Sequence, residues 1–420
     1  MRSAALEKWD TKYEWRVVTL LALGFGLVGA DRGIVMPMFP VMMKDMGLDY
    51  RDLGYITCVL SLAWGASALL TGQLSDRFGH RKVIIPALLI FSLFVGISGL
   101  ATGVGSLLVF RAIMGFAEGS YAPACITATL AASHPGRYGR NLGLQQAAAP
   151  FFGMCVTPIV VTQLLRWIPW HAMFVIAAIP GLLLCIPMWK VLRNVNVKAP
   201  ASSPNVHATP EEGSAWRNAL RFRNLRLAMA AMLCWVTVFT VVGAFLPNYL
   251  TDYLHIGLAQ MGFILSATGV GGTLGTVVMP ALSDRLGRKP VLIVSVLGEL
   301  IAFACFSDAG SDVSLLFGLL SVAVFFLFSL ITLTVGPIST ESVPPHLATA
   351  ASGIVIGVGE LFGGGIAPAI GGHFAMLFGI HSVLYLVFGA LVVGLGIVLA
   401  IKETAPVRPG AQGIERFQTD

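Results

Sequence analysis

The chain is a succession of twelve apolar runs, each close to the roughly twenty residues that cross a bilayer as a helix, separated by short polar loops. Inside a membrane every backbone polar group must be satisfied internally, so only helices and closed barrels can span it. Runs this long read as helices; barrel strands are about half the length and alternate. Charged residues make up 11% of the 420 residues and hydrophobic ones 56%, whereas a soluble chain carries about 25% charged residues. The sequence therefore predicts an all-α integral membrane protein.

The twelve spans are expected at 17–41, 52–75, 82–101, 105–131, 141–165, 171–192, 226–252, 258–283, 290–306, 313–337, 349–373 and 381–402. They divide into an N-terminal six-helix bundle (1–192), a polar linker (193–225) with Pro200, Pro204 and Pro210, a C-terminal six-helix bundle (226–403) and a polar tail (404–420). No signal peptide is evident, and the first run reads as a retained helix. Of the 27 Lys and Arg residues, 22 fall at the termini, the linker and the even-to-odd loops. That bias puts both termini in the cytoplasm. It also accounts for the net charge of +6 without invoking nucleic acid.

The two halves repeat. Gly72-Gln-Leu-Ser-Asp-Arg-Phe-Gly-His-Arg-Lys82 follows the second span, and Pro280-Ala-Leu-Ser-Asp-Arg-Leu-Gly-Arg-Lys-Pro290 follows the eighth. Parallel six-helix repeats are a transporter architecture, with substrate near the midplane between them. Asp76, Arg77, Gly79 and Arg81, echoed by Asp284 and Arg285, resemble the signature loop of the major facilitator superfamily. The resemblance implies two pseudo-symmetric six-helix bundles and a role for these residues in a cytoplasmic gate. In physical terms an aspartate there can cap a helix or pair with a base, and Gly79 permits a tight turn. Ordinary anchoring by basic loops is the alternative.

Four charges interrupt the apolar spans: Asp31 and Arg32 in the first, Arg111 and Glu118 in the fourth. Each costs about 2.5–3.5 kcal/mol at the bilayer centre on insertion scales. Such groups persist where they pair, line a water-filled path or bind a charged ligand. Seven residues make nearly two turns, so Arg111 and Glu118 share a face, with Gly115 between them and Gly119 beyond. Arg111-x-x-x-Gly115-x-x-Glu118-Gly119-x-x-x-Pro123, together with Asp31-Arg32, resembles the anion:cation symporter group of the superfamily. That group includes sugar-acid and phthalate-type permeases, sialin and vesicular glutamate transporters. The resemblance implies that Asp31 and Glu118 carry protons and that Arg32 and Arg111 hold the substrate anion. The residues themselves agree. Burial and a neighbouring arginine act on a carboxylate in opposite senses, which suits a proton carrier. Arginine stays charged and its fork fits a carboxylate. Static ion pairs that only hold the bundle together are the competing reading.

Shifted by the repeat, these four positions land on Phe239, Thr240, Leu319 and Phe326. The N-terminal half is thus expected to handle proton and carboxylate, and the C-terminal half to shape the choice of anion, with Trp235, Phe239 and Phe326 as candidate walls. Glu360, among the glycines of Gly357–Gly365, is a candidate third proton site or substrate ligand. Gln145, Gln146, Trp64 and Tyr121 are further substrate candidates, each equally compatible with helix packing. Glu299 reads as a structural or interface acid. Where the symporter group often has Asn-Tyr-x-Asp-Arg, this chain has Val28-Gly29-Ala30-Asp31-Arg32, which favours a larger or less hydroxylated anion.

The expected function is proton-coupled uptake of an organic anion, a carboxylate by preference, through one chain acting as a monomer in a bacterial inner membrane. The six cysteines lie in apolar runs without paired spacing, and the histidines show no ligand spacing, so neither cofactor nor metal is expected. No phosphate-binding loop or nucleophile–base arrangement points to ATP drive or to an enzyme. The alternatives are a proton-coupled drug or metabolite exporter, which the glycine-poor fifth span disfavours, and a non-transporting sensor or scaffold.

Overall fold

The computed structural model describes residues 10–134, 137–193, 218–344 and 347–404; the side chains of 68–78, 138–139 and 348–350 lie outside the description. Most of the expected linker, the tail beyond Thr404 and the side chains of Asp76 and Arg77 fall outside it.

Twelve helices follow in order. The first half holds α1 (Thr11–Met46), α2 (Tyr50–Phe78), α3 (His80–Ser98), α4 (Val104–Ala132), α5 (Tyr138–Pro150, a π-helical stretch Phe151–Val156, then Thr157–Leu164) and α6 (Trp170–Val191). The second half holds α7 (Arg223–Asn248, continued by π-helical Tyr249–Tyr253), α8 (Leu258–Leu286), α9 (Arg288–Asp308), α10 (Val313–Leu333, then Thr334–Ile338 and Ser339–Glu341), α11 (Ala348–Val358, π-helical Gly359–Ile366, then Ala367–Phe378) and α12 (Val383–Ala400). Ten of these have the length and apolarity to cross a membrane among the described residues. The other two, α2 and α4, are 29 residues long, about 43 Å at 1.5 Å per residue.

Local sequence sets the ends. Asp10 accepts from the backbone N–H of Tyr13 at the start of α1. Asp49 and Asp52 cap α2 reciprocally, each carboxylate accepting from the other's backbone N–H. Gly47 ends α1 at φ 66°. The motif glycines turn the chain between α2 and α3 and between α8 and α9, with φ 89° at Gly79 and 99° at Gly287, a region L side chains rarely enter.

The internal repeat is visible in detail. The π-helical stretches of α5 and α11 begin at Phe151 and Gly359, equivalent positions under the same shift that relates Gly79 to Gly287. The basic residue two places after each motif glycine donates to the end of its half's last helix. Arg81 Nη2 donates to the carbonyl of Trp189 at 2.6 Å, and Lys289 Nζ to that of Leu399 at 2.7 Å. A cation there satisfies an orphan carbonyl and meets the negative end of the helix dipole.

The halves meet through α2 with α11 and α5 with α8. A Cβ on Gly372 would fall 2.5 Å from the carbonyl oxygen of Tyr50, and one on Gly269 2.7 Å from the backbone nitrogen of Cys155. Cross-half hydrogen bonds among the described residues run from Tyr50 to Asp252 (2.9 Å), between Tyr55 and His373 (3.3 Å), from Asn248 to Met43 (3.7 Å) and, near mid-membrane, from Thr268 to the carbonyl of Met154 (3.3 Å). All lie in the membrane middle or at the end opposite the motif loops. On the motif side, Gly143 in α5 and Gly353 and Gly357 in α11 face open space. Among the described residues the halves are therefore bonded to each other in the middle and at the end opposite the motif loops.

Candidate functional site

Asp31, Arg111 and Glu118 are buried, and the Arg32 side chain is 30% exposed. Two sets of close backbone approaches bring their helices together. Gly29 and Gly33 set α1 against Ala149 and Gly153 of α5, and Gly115 and Gly119 set α4 against the carbonyls of Leu60 and Trp64 on α2. A side chain at any of these glycines would drive the helices apart.

The pairing crosses between helices. Arg32 Nε lies 3.6 Å from Glu118 Oε2, an ion pair too long to be a hydrogen bond, and neither Glu118 oxygen has a hydrogen-bond partner. Arg111 Nη1 donates to the backbone carbonyl of Asp31 at 3.3 Å. Its Nε and Nη2 stay unpartnered, with the ring of Phe174 6.0 Å from the guanidinium carbon. Asp31 is within electrostatic reach of both Glu118 and Arg111. The ion pair joins α1 to α4 rather than residues of one helix, because Arg111 and Glu118, two turns apart on one face of α4, both point toward α1.

The Arg32 guanidinium lies over the Trp64 ring, 5.1 Å from its centroid, an arrangement worth about 0.5–2 kcal/mol. Trp64 Nε1 is buried without a partner. Trp64 is thus placed beside the charges by the Gly119 contact. The repeat position of Trp64 is Gly272, and there the ring of Phe328 packs instead. Phe328 meets Phe239 edge to face, with centroids 5.6 Å apart. Phe239 is half-buried and keeps its place as a candidate wall.

Other expected substrate residues are elsewhere. Trp235 is fully buried, donates to Thr334 Oγ1 at 3.1 Å and packs on Gly394 of α12. It is a packing residue of the C-terminal half, with its one polar atom already used. Tyr121 is enclosed between Phe91, edge to face at 5.7 Å, and Gly24 of α1. Gln145 is buried and donates to Cys125 Sγ at 3.1 Å. Both are enclosed within the N-terminal half, with Gln145 Oε1 left without a partner, whereas Gln146 is exposed. Phe326 packs on Gly298 of α9, away from the pathway.

Glu360 sits in the π-helical stretch of α11, half-buried, and its carboxylate forms no hydrogen bond or ion pair among the described residues. A Cβ on Gly364 would lie 3.1 Å from Glu360 Oε2 and 3.7 Å from Ser61 Oγ. The acid therefore occupies the α2–α11 seam. π-helical turns are frequent at functional sites. Glu299 is fully buried, and neither carboxylate oxygen has a partner.

At the motif face, Asp284 is ion-paired with Arg288 rather than placed beside Arg285, which is exposed and forms no ion pair among the described residues. Arg288 also binds Glu341 at 2.9 Å, and Glu403 accepts the first N–H groups of α9 at 2.8 and 3.0 Å. These four residues, Asp284, Arg288, Glu341 and Glu403, join α8, α9, α10 and the end of α12. In the first half, buried Glu14 takes a comparable place, paired with Arg137 at 3.1 Å and accepting from Asn141 at 2.7 Å. Sequence reasoning missed both networks. The only signal was an acid near the end of α10, α12 and the start of α1, with partners more than fifty residues away.

A cavity of about 850 Å³ opens at the end opposite the motif loops, lined by Lys44, Asp45, Trp170, His171 and His255. It is remote from the four charges. Among the described residues no cluster of metal-ligating side chains forms.

Comparison with known proteins places this architecture. The family model described as Major Facilitator Superfamily matches residues 21–354 and 237–419. A sialic acid transporter of Escherichia coli K12 is 23% identical over 88% of this chain and 90% of its own length. A 4-hydroxybenzoate transporter of Pseudomonas putida is 26% identical over 72% and 73%. Among solved structures, a bacterial homologue of the human lysosomal transporter Spinster, inward-facing and unoccupied, superposes with a TM-score of 0.77 at 15% identity, covering 93% of this chain and 96% of that one. The protein is a multi-pass membrane transporter and not an enzyme: the chain belongs to the major facilitator superfamily.

Proposed function

We propose that the protein is a proton-coupled symporter that takes up an organic anion, a carboxylate by preference, through alternating access. The observation that carries this reading is the Arg32–Glu118 pair at 3.6 Å, loose and without hydrogen bonds to Glu118. Charge balance supplies the mechanism. When Glu118 is ionised, it neutralises Arg32 and the empty site carries no net charge across the pair. When Glu118 is protonated, Arg32 is released and an anion takes its place, so the loaded site is again neutral. Either partner alone leaves an uncompensated charge in an apolar surround, which costs several kcal/mol. Only the empty and doubly loaded states then cross easily, which is symport.

In this reading Arg111 and Asp31 form the second acid–arginine set behind the first. Arg111 holds the α1 backbone and leaves two donors for the substrate or for Asp31 as protonation changes. Trp64 fixes the plane of Arg32. Phe239 contributes an apolar wall from the other half, and Glu360 is a further proton carrier or hydrogen-bonding ligand. The sialic acid and 4-hydroxybenzoate transporters among its relatives are named for organic acids, which supports an anionic substrate here.

The gate reading assigns Gly79, Arg81 and the Asp284–Arg288 pair to the cytoplasmic face, together with Asp76 and Arg77. With the positive-inside bias, this reading puts the motif loops and both termini on the cytoplasmic side of a bacterial inner membrane. The working unit is one chain, with bundle boundaries at 1–192 and 226–403 joined by 193–225 and followed by 404–420. Purified protein in liposomes under an imposed pH gradient, screened with radiolabelled sugar acids, aromatic acids and sulfonated acids, tests the function. Gradient-driven uptake of an acid that Arg32→Ala abolishes is the expected result. Extrusion of organic cations without acid uptake would replace the reading with the exporter.

A further inference from the structure

We infer that the motif-side rim of α3 and α6 is a binding site for an anionic phospholipid headgroup. The rim is a basic collar. Arg81 and Lys82 open α3, and Lys190 and Arg193 close α6. The Arg81–Trp189 bond holds the two ends together. None of the four forms an ion pair among the described residues. Of the acids at the start of α1, Asp10 caps the helix and Glu14 is paired with Arg137.

Two of the guanidinium groups lie against aromatic rings. Arg81 is 5.9 Å from the Trp189 centroid and Arg193 is 4.4 Å from that of Tyr13. Stacking of this kind orients the planar cation and leaves donors free to meet phosphate oxygens in the fork geometry arginine favours. Trp189 is 61% exposed, and the lipid-facing strip Ile179, Leu183 and Ile186 on the same helix runs up to it. An indole at the junction of an apolar strip and a basic rim is the arrangement found at membrane interfaces. The strip accepts acyl chains and the collar accepts the phosphate, so one amphiphile with a negative headgroup satisfies both.

The second half lacks this site although it repeats the fold. Lys289 takes the place of Arg81 on the Leu399 carbonyl, but its neighbour Arg288 is neutralised by Asp284 and Glu341, and Glu403 sits at the start of α9. Among the described residues the aromatic-backed basic collar thus belongs to the first half, whereas the second half offsets Arg288 with its own acids and leaves Arg285 without an aromatic ring against it.

The test is native mass spectrometry of the purified full chain, titrated in detergent with phosphatidylglycerol or phosphatidylcholine. Each basic group near an anionic headgroup strengthens binding by about fivefold. Wild-type protein should hold phosphatidylglycerol at least about fivefold better than phosphatidylcholine, Lys82→Gln/Lys190→Gln together should lower phosphatidylglycerol retention about tenfold or more, and Arg193→Gln alone about fivefold. Lys402→Gln, a basic change on the other half's rim, should leave retention unchanged. Equal retention of the two lipids, wild-type retention by the collar variants, an equal loss in Lys402→Gln, or displacement of phosphatidylglycerol by millimolar glycerol phosphate would each overturn the site.

Discussion

The Arg32 guanidinium and the Glu118 carboxylate face each other across α1 and α4 at 3.6 Å, with Arg32 partly exposed and Glu118 wholly buried. The arginine therefore keeps an exposed edge while its counter-ion is enclosed behind it. A group so placed can exchange one anion for another without moving far.

Arg32→Ala removes the group assigned to the substrate and leaves Glu118 without its cation. Truncating one member of a buried charge pair costs about 2–5 kcal/mol, so uptake efficiency should fall by about thirtyfold or more. Arg32→Lys keeps the charge but not the fork, and should recover only part of the loss. Initial uptake rates in liposomes, taken over a range of substrate concentrations, check both.

Trp64→Leu keeps an apolar side chain under Arg32 and removes the ring. The cation–π contribution of about 0.5–2 kcal/mol should appear as a rise of about threefold to thirtyfold in KM, with little change in the maximal rate. A KM that stays at the wild-type value would take Trp64 out of the site.

The extent to which the site was legible in the sequence can be judged from these residues. Bilayer thickness imposes a length on every span and the motif glycines recur at a fixed shift, so helix number and the repeat could be read directly. Arg111 and Glu118 were placed on one face correctly, because the 3.6-residue period fixes that much. Which helix each face meets is a tertiary fact. For that reason the crossed pairing of Arg32 with Glu118 was not legible, and neither was the burial of Trp235, Tyr121 and Gln145 within their own half. Aromatic and amide side chains look alike in sequence whether they line a path or fill a core. Arg288 was overlooked beside Arg285 because its partner Glu341 lies on another helix, at the end of α10.

Gly119 is where α4 touches the Trp64 carbonyl, and a Cβ would collide with it. Gly119→Ala should therefore lower thermal stability by about 1–3 kcal/mol, as overpacking does. Gly353 has open space beside it, and Gly353→Ala should be neutral or raise stability by up to about 1 kcal/mol, since alanine favours a helix interior. Melting temperatures of the two purified variants decide between these outcomes.

Tyr50 donates to Asp252 between the halves at the end opposite the motif loops, at 2.9 Å. Hydrogen bonds to charged groups contribute about 1.5–3 kcal/mol, so Tyr50→Phe should shift the population toward the state open at that end by about tenfold or more. Spin labels placed on the loops of the two halves at that end report this as a longer distance distribution. An unchanged distribution would remove this bond from the gate.

The central claim is that Glu118 couples the proton to the anion, and Glu118→Gln tests it most directly. Glutamine has nearly the same shape and remains neutral at every pH, so it imitates the protonated acid. In liposomes the variant should exchange labelled for unlabelled substrate at a rate insensitive to pH, yet fail to accumulate substrate when a pH gradient is imposed. Accumulation by Glu118→Gln at the wild-type rate under that gradient would contradict the account.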